Sequence, residues 1–164
     1  MRPLFRFSLF ATIASVLGVV LFTLATLATP PAFAQPAPGL HLRGLKGEQL
    51  ADADLSRGAT IIVVWASWSP RSRDIVDRVN PLAERWGGQA RVLTVNFQED
   101  APAVQDFLAG KNLAPPVFLD SDGAFSKRYA IATLPGLLVL KDGKAVYRGK
   151  LPDDPDRVIT EALR

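Results

Sequence analysis

Two serines, Ser69 and Ser72, lie at the start of a predicted helix, and Ser69 is a candidate nucleophile. They belong to the segment WSPRS at 68–72, which follows a run of five apolar residues, IIVVW, at 61–65. That run is typical of a strand buried on both faces, and Pro70 favours a helix that begins directly after it. Because the N-terminus of a helix stabilises negative charge, either serine position would suit an anionic nucleophile.

A serine hydroxyl becomes a nucleophile only when a general base lies within hydrogen-bond reach and is itself oriented by a third group. The sequence has one histidine, His41, in a predicted hairpin away from the serines. We expect His41 to be a solvent-facing strand residue with no metal-binding or catalytic role. The residues instead favour helix capping by both serines, with the Ser69 hydroxyl accepting from the first free backbone amides.

The residues after Ser72 predict the helix that would hold this site. Their apolar side chains recur at a 3.6-residue period and form one stripe: Ile75, Val76, Val79, Leu82, Ala83 and Trp86. Two glycines at 87–88 end the helix, and RVLTVNF at 91–97 predicts the next strand. A strand, a crossover helix and a second strand indicate parallel pairing and an α/β fold.

The rest of the chain predicts a small hairpin before this unit and further elements after it. Asp100 is expected to cap one helix, and Asp154-Pro155 to open the last one. The predicted elements are a hairpin within 40–55, a helix at 101–109, a strand at 117–119, a turn at 120–123, a helix at 124–130, paired strands at 136–140 and 144–148, and a helix after 155.

A strand that leads into a helix carrying W-S-P-R-S resembles the active-site unit of thioredoxin-like proteins, in particular the TlpA and ResA type of exported thiol-disulfide oxidoreductase. In that family the segment reads W-C-x-x-C, whereas serine stands at both cysteine positions here and the chain contains no cysteine. The resemblance implies a thioredoxin-like α/β fold over residues 40–164. Its central mixed sheet would have helices on both faces, and the helix and strand within 101–119 would match the TlpA-type insertion.

The resemblance also implies a second half of the site at Thr133-Leu134-Pro135. In the family the proline has a cis peptide bond, and the residue before it offers its backbone to an extended substrate peptide by strand addition. Leu134 takes that position, whereas Gly136 stands where the family usually has a threonine. Trp65 is expected in the core and Trp68 beside the site on the surface. The predicted binding residues are Trp68, Ser69, Pro70, Arg71, Ser72, Leu134 and Pro135.

The family's chemistry has lost three parts in this sequence. Disulfide exchange needs a thiolate, and neither serine can supply one. Thioredoxins also bury an acidic residue in the central strand that helps to move a proton, and the matching position is Val63. Copper delivery and peroxidase chemistry of the peroxiredoxin type fail for the same lack of cysteine, so neither a cofactor nor a metal site is predicted.

Three arginines share one helix face at seven-residue spacing: Arg71, Arg78 and Arg85. Arg78 and Arg85 are expected to be solvated, with Arg78 paired to Asp74 one turn earlier. Arg71 lies between the two serines, beside the positive end of the helix, where it could hold a carboxylate or another anion.

The N-terminal segment indicates export. Arg2 and Arg6 precede an uncharged apolar run at 9–28, and small residues at 32–34 offer a cleavage site. Residues 1–34 are therefore a signal peptide or, since the run is as long as a spanning helix, a membrane anchor, with QPAPG at 35–39 as a linker. Both alternatives predict a periplasmic or otherwise extracytoplasmic domain.

Composition adds two constraints. The chain has 164 residues, 48% of them hydrophobic, which is enough for one domain with a core. Without Arg2 and Arg6 the basic residues hardly outnumber the 16 acidic ones, so the high isoelectric point does not indicate nucleic-acid binding.

Three functional hypotheses follow. The first is a redox-inactive TlpA-like domain that binds a protein or peptide partner in the cell envelope through the vestigial site. The second is an oxidoreductase of redox homeostasis or of cytochrome c or oxidase assembly, which uses thiols of its partner. The third is an ordinary enzyme silenced by deliberate serine substitution, against which Val63 and the complete lack of cysteine argue.

Overall fold

The computed structural model describes residues 39–164. The predicted signal or anchor at 1–34 and most of the linker at 35–39 lie outside the described residues. Within 39–164, no helix combines the length and hydropathy that crossing a membrane requires. The strands are β1 (His41–Gly44), β2 (Gln49–Ala51), β3 (Ala59–Trp65), β4 (Arg91–Phe97), β5 (Val117–Asp120), β6 (Gly136–Lys141) and β7 (Lys144–Lys150). The α-helices are α1 (Asp52–Leu55), α2 (Ile75–Trp86), α3 (Ala101–Leu108), α4 (Ala124–Arg128) and α5 (Pro155–Leu163).

All seven strands form one mixed sheet in the order β2-β1-β5-β4-β3-β6-β7. Strand β3 lies at its centre, parallel to β4 and antiparallel to β6. The predicted strand-helix-strand unit is therefore confirmed as β3-α2-β4, and the predicted hairpins as β1-β2 and β6-β7. Because β3 is paired on both sides and covered on both faces, residues 60–65 are completely buried.

Helices cover both faces of the sheet, as predicted. Successive β3 side chains point to opposite faces, so Ile61, Val63 and Trp65 pack in one core with the apolar residues of α2, α3 and α5. Ile62 and Val64 pack in the other core with residues of α1 and α4. The exit of β3 is thereby fixed between two cores.

The predicted insertion is confirmed as α3 and β5. Asp100 caps α3 by accepting from the Ala103 amide at 3.0 Å, and β5 pairs parallel to β4 and antiparallel to β1. Asp120 was expected only as a turn residue. Its buried carboxylate accepts from the amides of Phe125 and Ser126, both at 2.9 Å, and so joins β5 to α4.

Two local predictions are wrong. The helix after β3 is not continuous from Pro70, since a 3₁₀ turn at Pro70–Ser72 precedes α2. Arg78 neither pairs with Asp74 nor is fully solvated. It is half-buried and donates to the carbonyls of Leu151 and Pro152, both at 3.1 Å. These acceptors lie more than 70 residues along the chain, so helical spacing could not reveal them. Arg85 is exposed, as expected.

Asp52 joins the first hairpin to α4 through charge. Its carboxylate accepts from the Leu40 amide at 2.9 Å and lies 2.8 Å from Arg128 Nη1. Desolvation by burial acts to raise the pKa of Asp52, but the Leu40 amide and the Arg128 guanidinium outweigh it and lower that pKa. A carboxyl with a lowered pKa stabilises the fold above its unfolded pKa, and this contribution is lost as pH falls through its folded pKa.

We expect Asp52→Asn to lower the free energy of unfolding at pH 7 by about 0.2–1 kcal/mol, since both side chains of the pair are more than a third exposed and solvent screens them. The deficit should begin to shrink below about pH 4, the ordinary pKa of an unfolded aspartate, and should continue to shrink as pH falls through the lowered folded pKa. Urea denaturation from pH 7 to pH 3 measures it. Glu84→Gln is the control, since no hydrogen bond or ion pair of Glu84's side chain occurs in the described residues. A deficit that does not vary with pH would contradict this role.

Candidate functional site

The connection from β3 to α2 places the predicted site residues at one edge of the sheet. Trp65 is buried, as predicted, while Trp68 is 60% exposed. Ser69 and Ser72 are both buried, although neither side chain caps a helix as expected. The backbone supplies the turn instead, because the Ser72 amide donates to the Ser69 carbonyl at 2.9 Å.

The second predicted half of the site lies against the first. The Leu134-Pro135 peptide bond is cis, as the resemblance implied, and Pro135 is buried at the start of β6. The Ser69 hydroxyl donates a long hydrogen bond of 3.5 Å to the Leu134 carbonyl. Two segments 65 residues apart in sequence therefore meet at the former cysteine position. Arg71 is exposed beside them.

The backbone of the preceding segment lies so close to position 136 that only glycine fits there. A Cβ atom at this position would lie 2.8 Å from the Thr133 carbonyl oxygen and 3.0 Å from Cγ2 of Ile131. Real Cβ atoms essentially never approach a backbone oxygen so closely, so a threonine would not fit without movement of the 131–133 segment.

An open groove of about 460 Å³ lies between Trp68 and the 131–134 segment. The Trp68 and Phe97 rings lie together in its lining, with centroids 6.5 Å apart. Ile131 and Leu134 also line the groove. The groove is mainly apolar, and its shape suits an apolar side chain. The sequence analysis predicted Trp68 and Leu134 here but missed Phe97 and Ile131, which are strand-end and loop residues without a site motif.

Glu99 is a further site residue that the sequence analysis missed. Its carboxylate accepts from the Ser67 amide at 2.7 Å and also from the Ser67 hydroxyl. The Asn96 side-chain amide donates to it at 2.7 Å. Glu99 therefore holds the residue before Trp68 against the end of β4. The available signal was a pair of polar residues at the carboxyl end of β4, where the serines also lie: Asn96 is the penultimate residue of the strand and Glu99 follows it.

The arrangement offers no route to serine nucleophilicity. Ser69 Oγ is directed at a carbonyl, which can accept a hydrogen bond but cannot take the proton, and Ser72 Oγ is buried without a hydrogen-bond partner in the described residues. His41 is exposed on β1, as predicted. Within 39–164, no three histidine or acidic side chains gather as a metal site would require.

Comparison with known proteins places these observations in a family. The chain is 26% identical over 123 residues to sporulation thiol-disulfide oxidoreductase A of Bacillus subtilis, which covers 71% of this chain and 74% of the relative. It is 23% identical over 152 residues to the thiol-disulfide oxidoreductase ResA of Bacillus thuringiensis, which covers 91% of this chain and 88% of the relative.

The predicted thioredoxin-like fold is confirmed by solved structures. A secreted Mycobacterium tuberculosis disulfide oxidoreductase, homologous to Escherichia coli DsbE, superposes with a TM-score of 0.62 at 19% identity. The match covers 75% of this chain and 93% of that one. Residues 33–149, most of the chain, match the AhpC/TSA family. The chain therefore belongs to the AhpC/TSA family and is similar to ResA and to sporulation thiol-disulfide oxidoreductase A, while it carries serine at both expected cysteine positions.

Proposed function

We propose that this protein is a redox-inactive, exported binding domain that docks an extended polypeptide across its vestigial active site. We define the docking face as Trp68, Ser69, Pro70, Arg71, Ser72, Leu134 and Pro135, together with the groove residues Phe97 and Ile131. The partner is a protein or peptide of the cell envelope. The proposal separates two tasks that a thiol-disulfide oxidoreductase combines, which are binding a polypeptide and exchanging electrons with it.

The observation that carries the proposal is the open groove beside Trp68 in a chain without any thiol. Apart from Trp68, the large hydrophobic side chain that is exposed in the described residues is Val146. An exposed tryptophan ring beside an apolar groove suits an aromatic anchor of an interface. The Leu134-Pro135 segment next to it supports a docked chain in extended form, by analogy with strand addition.

Export is supported by two independent features. The residues before the domain have the pattern of a signal or anchor, and one protein of the same fold is described as secreted. In an oxidising compartment, a partner with cysteines could still be bound without a mixed disulfide, because a serine hydroxyl cannot attack a disulfide under these conditions.

The purified protein should not accelerate insulin reduction by dithiothreitol, because no thiolate is available to enter a mixed disulfide. Turbidity of the precipitating insulin B chain measures the rate, with a cysteine-containing thioredoxin as positive control. Acceleration that depends on this protein's concentration would favour the alternative hypothesis of an oxidoreductase.

Trp68→Ala should remove most of the specific partner binding, since truncation of a central aromatic anchor typically costs about 2 kcal/mol or more. Partners are captured from the native envelope by chemical crosslinking to the tagged protein and are quantified by mass spectrometry. Val146→Ala is the matched control, because Val146 is also an exposed hydrophobic residue but lies on β7. A partner set unchanged by Trp68→Ala and by Pro135→Ala would exclude this face as the docking site.

Glu99→Ala should lower the local stability of the docking face, although Glu99 itself is not part of that face. It leaves the Ser67 and Asn96 amides without their acceptor, which costs about 1–3 kcal/mol of stability when such groups stay buried. Hydrogen exchange should accelerate at the Ser67 amide more than at the β3 amides, and Glu99→Gln, which keeps one acceptor oxygen, should have the smaller effect. Equal acceleration at Ser67 and throughout β3 would indicate a general loss of stability instead.

A further inference from the structure

A second cleft shares Leu134 and Pro135 with the docking face. It has a volume of about 460 Å³, and we call it the basic cleft. Its charged lining consists of four basic residues and two acidic ones: Arg71, Arg73, Arg78, Lys150, Asp74 and Asp153. The basic cleft therefore has a positive excess beside a groove that is mainly apolar.

The excess positive charge of the basic cleft comes from side chains that are available to a ligand. Arg78 is occupied by the Leu151 and Pro152 carbonyls and by Asp153, whose carboxylate lies 3.9 Å away. Arg71, Arg73 and Lys150 are exposed. Within the part of the chain that the structure describes, none of these three forms an ion pair. Asp74 is the one carboxylate of the cleft that is not engaged by Arg78.

The basic cleft and the apolar groove share a boundary. Pro70, Arg71, Thr133 and Leu134 line both of them, so a polypeptide bound at Leu134 can contact both the apolar groove and the basic cleft. An extended chain advances about 3.3 Å per residue. Residues two or three apart in such a ligand can therefore reach the groove and the cleft at once.

We propose that the docking face selects acidic segments, in which an apolar side chain enters the groove beside Trp68 and a carboxylate two or three residues away enters the basic cleft. This inference rests on the proposed function and adds the chemistry of the ligand. Arginine holds a carboxylate with charge-assisted hydrogen bonds. Exposed charges contribute little individually, but together they steer the encounter and reject basic segments.

The test uses capped decapeptides on a surface, each with a central leucine, phenylalanine or tryptophan. Glutamate, glutamine or lysine flanks the centre at two and three residues on either side. Retention of the labelled protein should be about three- to tenfold higher on the glutamate peptides than on the glutamine peptides, as expected for two or three exposed ion pairs. It should be lowest on the lysine peptides and should fall with added salt. Equal retention on glutamate and glutamine peptides would overturn the inference.

Variants separate this inference from the proposed function. Arg73→Glu, a charge reversal at a cleft residue outside the docking face, should abolish the preference for glutamate and leave the affinity for glutamine peptides nearly unchanged. Arg85→Glu, the same change at an exposed arginine of α2 outside the cleft, should keep the preference. Trp68→Ala should weaken binding to every peptide. If Trp68→Ala abolishes binding but Arg73→Glu keeps the preference for glutamate, the acidic specificity is wrong and the docking face stands. If Trp68→Ala leaves all retention unchanged, both are wrong.

Two further experiments complete the test. The first asks whether the bound carboxylate belongs to an acidic side chain or to a chain end, and the second asks whether a second copy of this chain occupies the docking face. Peptides with a free C-terminus and no acidic side chain should bind no better than their amidated forms, and preferential binding of the free acids would replace the acidic segment with a chain end. In sedimentation experiments, we expect no dimer of the wild-type protein that becomes monomeric in the Arg73→Glu variant. Such a dimer would assign the face to a second copy of this chain and overturn the acidic-segment inference.

Discussion

The carboxylate of Glu99 bonds to the backbone amide and the hydroxyl of Ser67 and to the side chain of Asn96, and this interaction joins the ends of β3 and β4. The next residue along the chain, Trp68, therefore leaves the sheet at a fixed point. Ser69 then meets the Leu134 carbonyl, which sets the distance between the two halves of the docking face. One side of the groove is formed by the loop that follows the buried strand β3, and Glu99 holds this loop in place.

This geometry explains why a scaffold for disulfide exchange can persist without sulfur. In the central strand, Val63 packs in the core where the resemblance implies an acidic residue, so apolar packing has replaced the proton-transfer group. Ser72 is buried and Ser69 is directed at a carbonyl. What remains beside them is an open, mainly apolar groove. A fold does not determine function, but the absence of cysteine and of the acidic residue that the resemblance implies fits a domain without redox activity.

Sequence reasoning succeeded where the information was local or carried by the family pattern. The buried run at 61–65, the stripe of α2 and the capping by Asp100 depend on short periodicities, and all are found in the structure. It failed for contacts between distant residues. Arg78 was assigned to a solvated face because helical spacing reports only neighbours within α2, whereas its acceptors lie after β7. Glu99 escaped notice because its partner, Ser67, lies 32 residues earlier.

Gly136 has a consequence for the evolution of this chain. The space for a Cβ atom is already occupied by the Thr133 carbonyl oxygen, so the threonine common in thioredoxin-like relatives cannot return by a single substitution without a shift of its neighbours. Cysteines restored at 69 and 72 would face a strand start of altered shape and a core that offers valine in place of an acid. Position 136 is thus coupled to the backbone at Thr133, and a side chain could be introduced there only together with a change in the 131–133 segment.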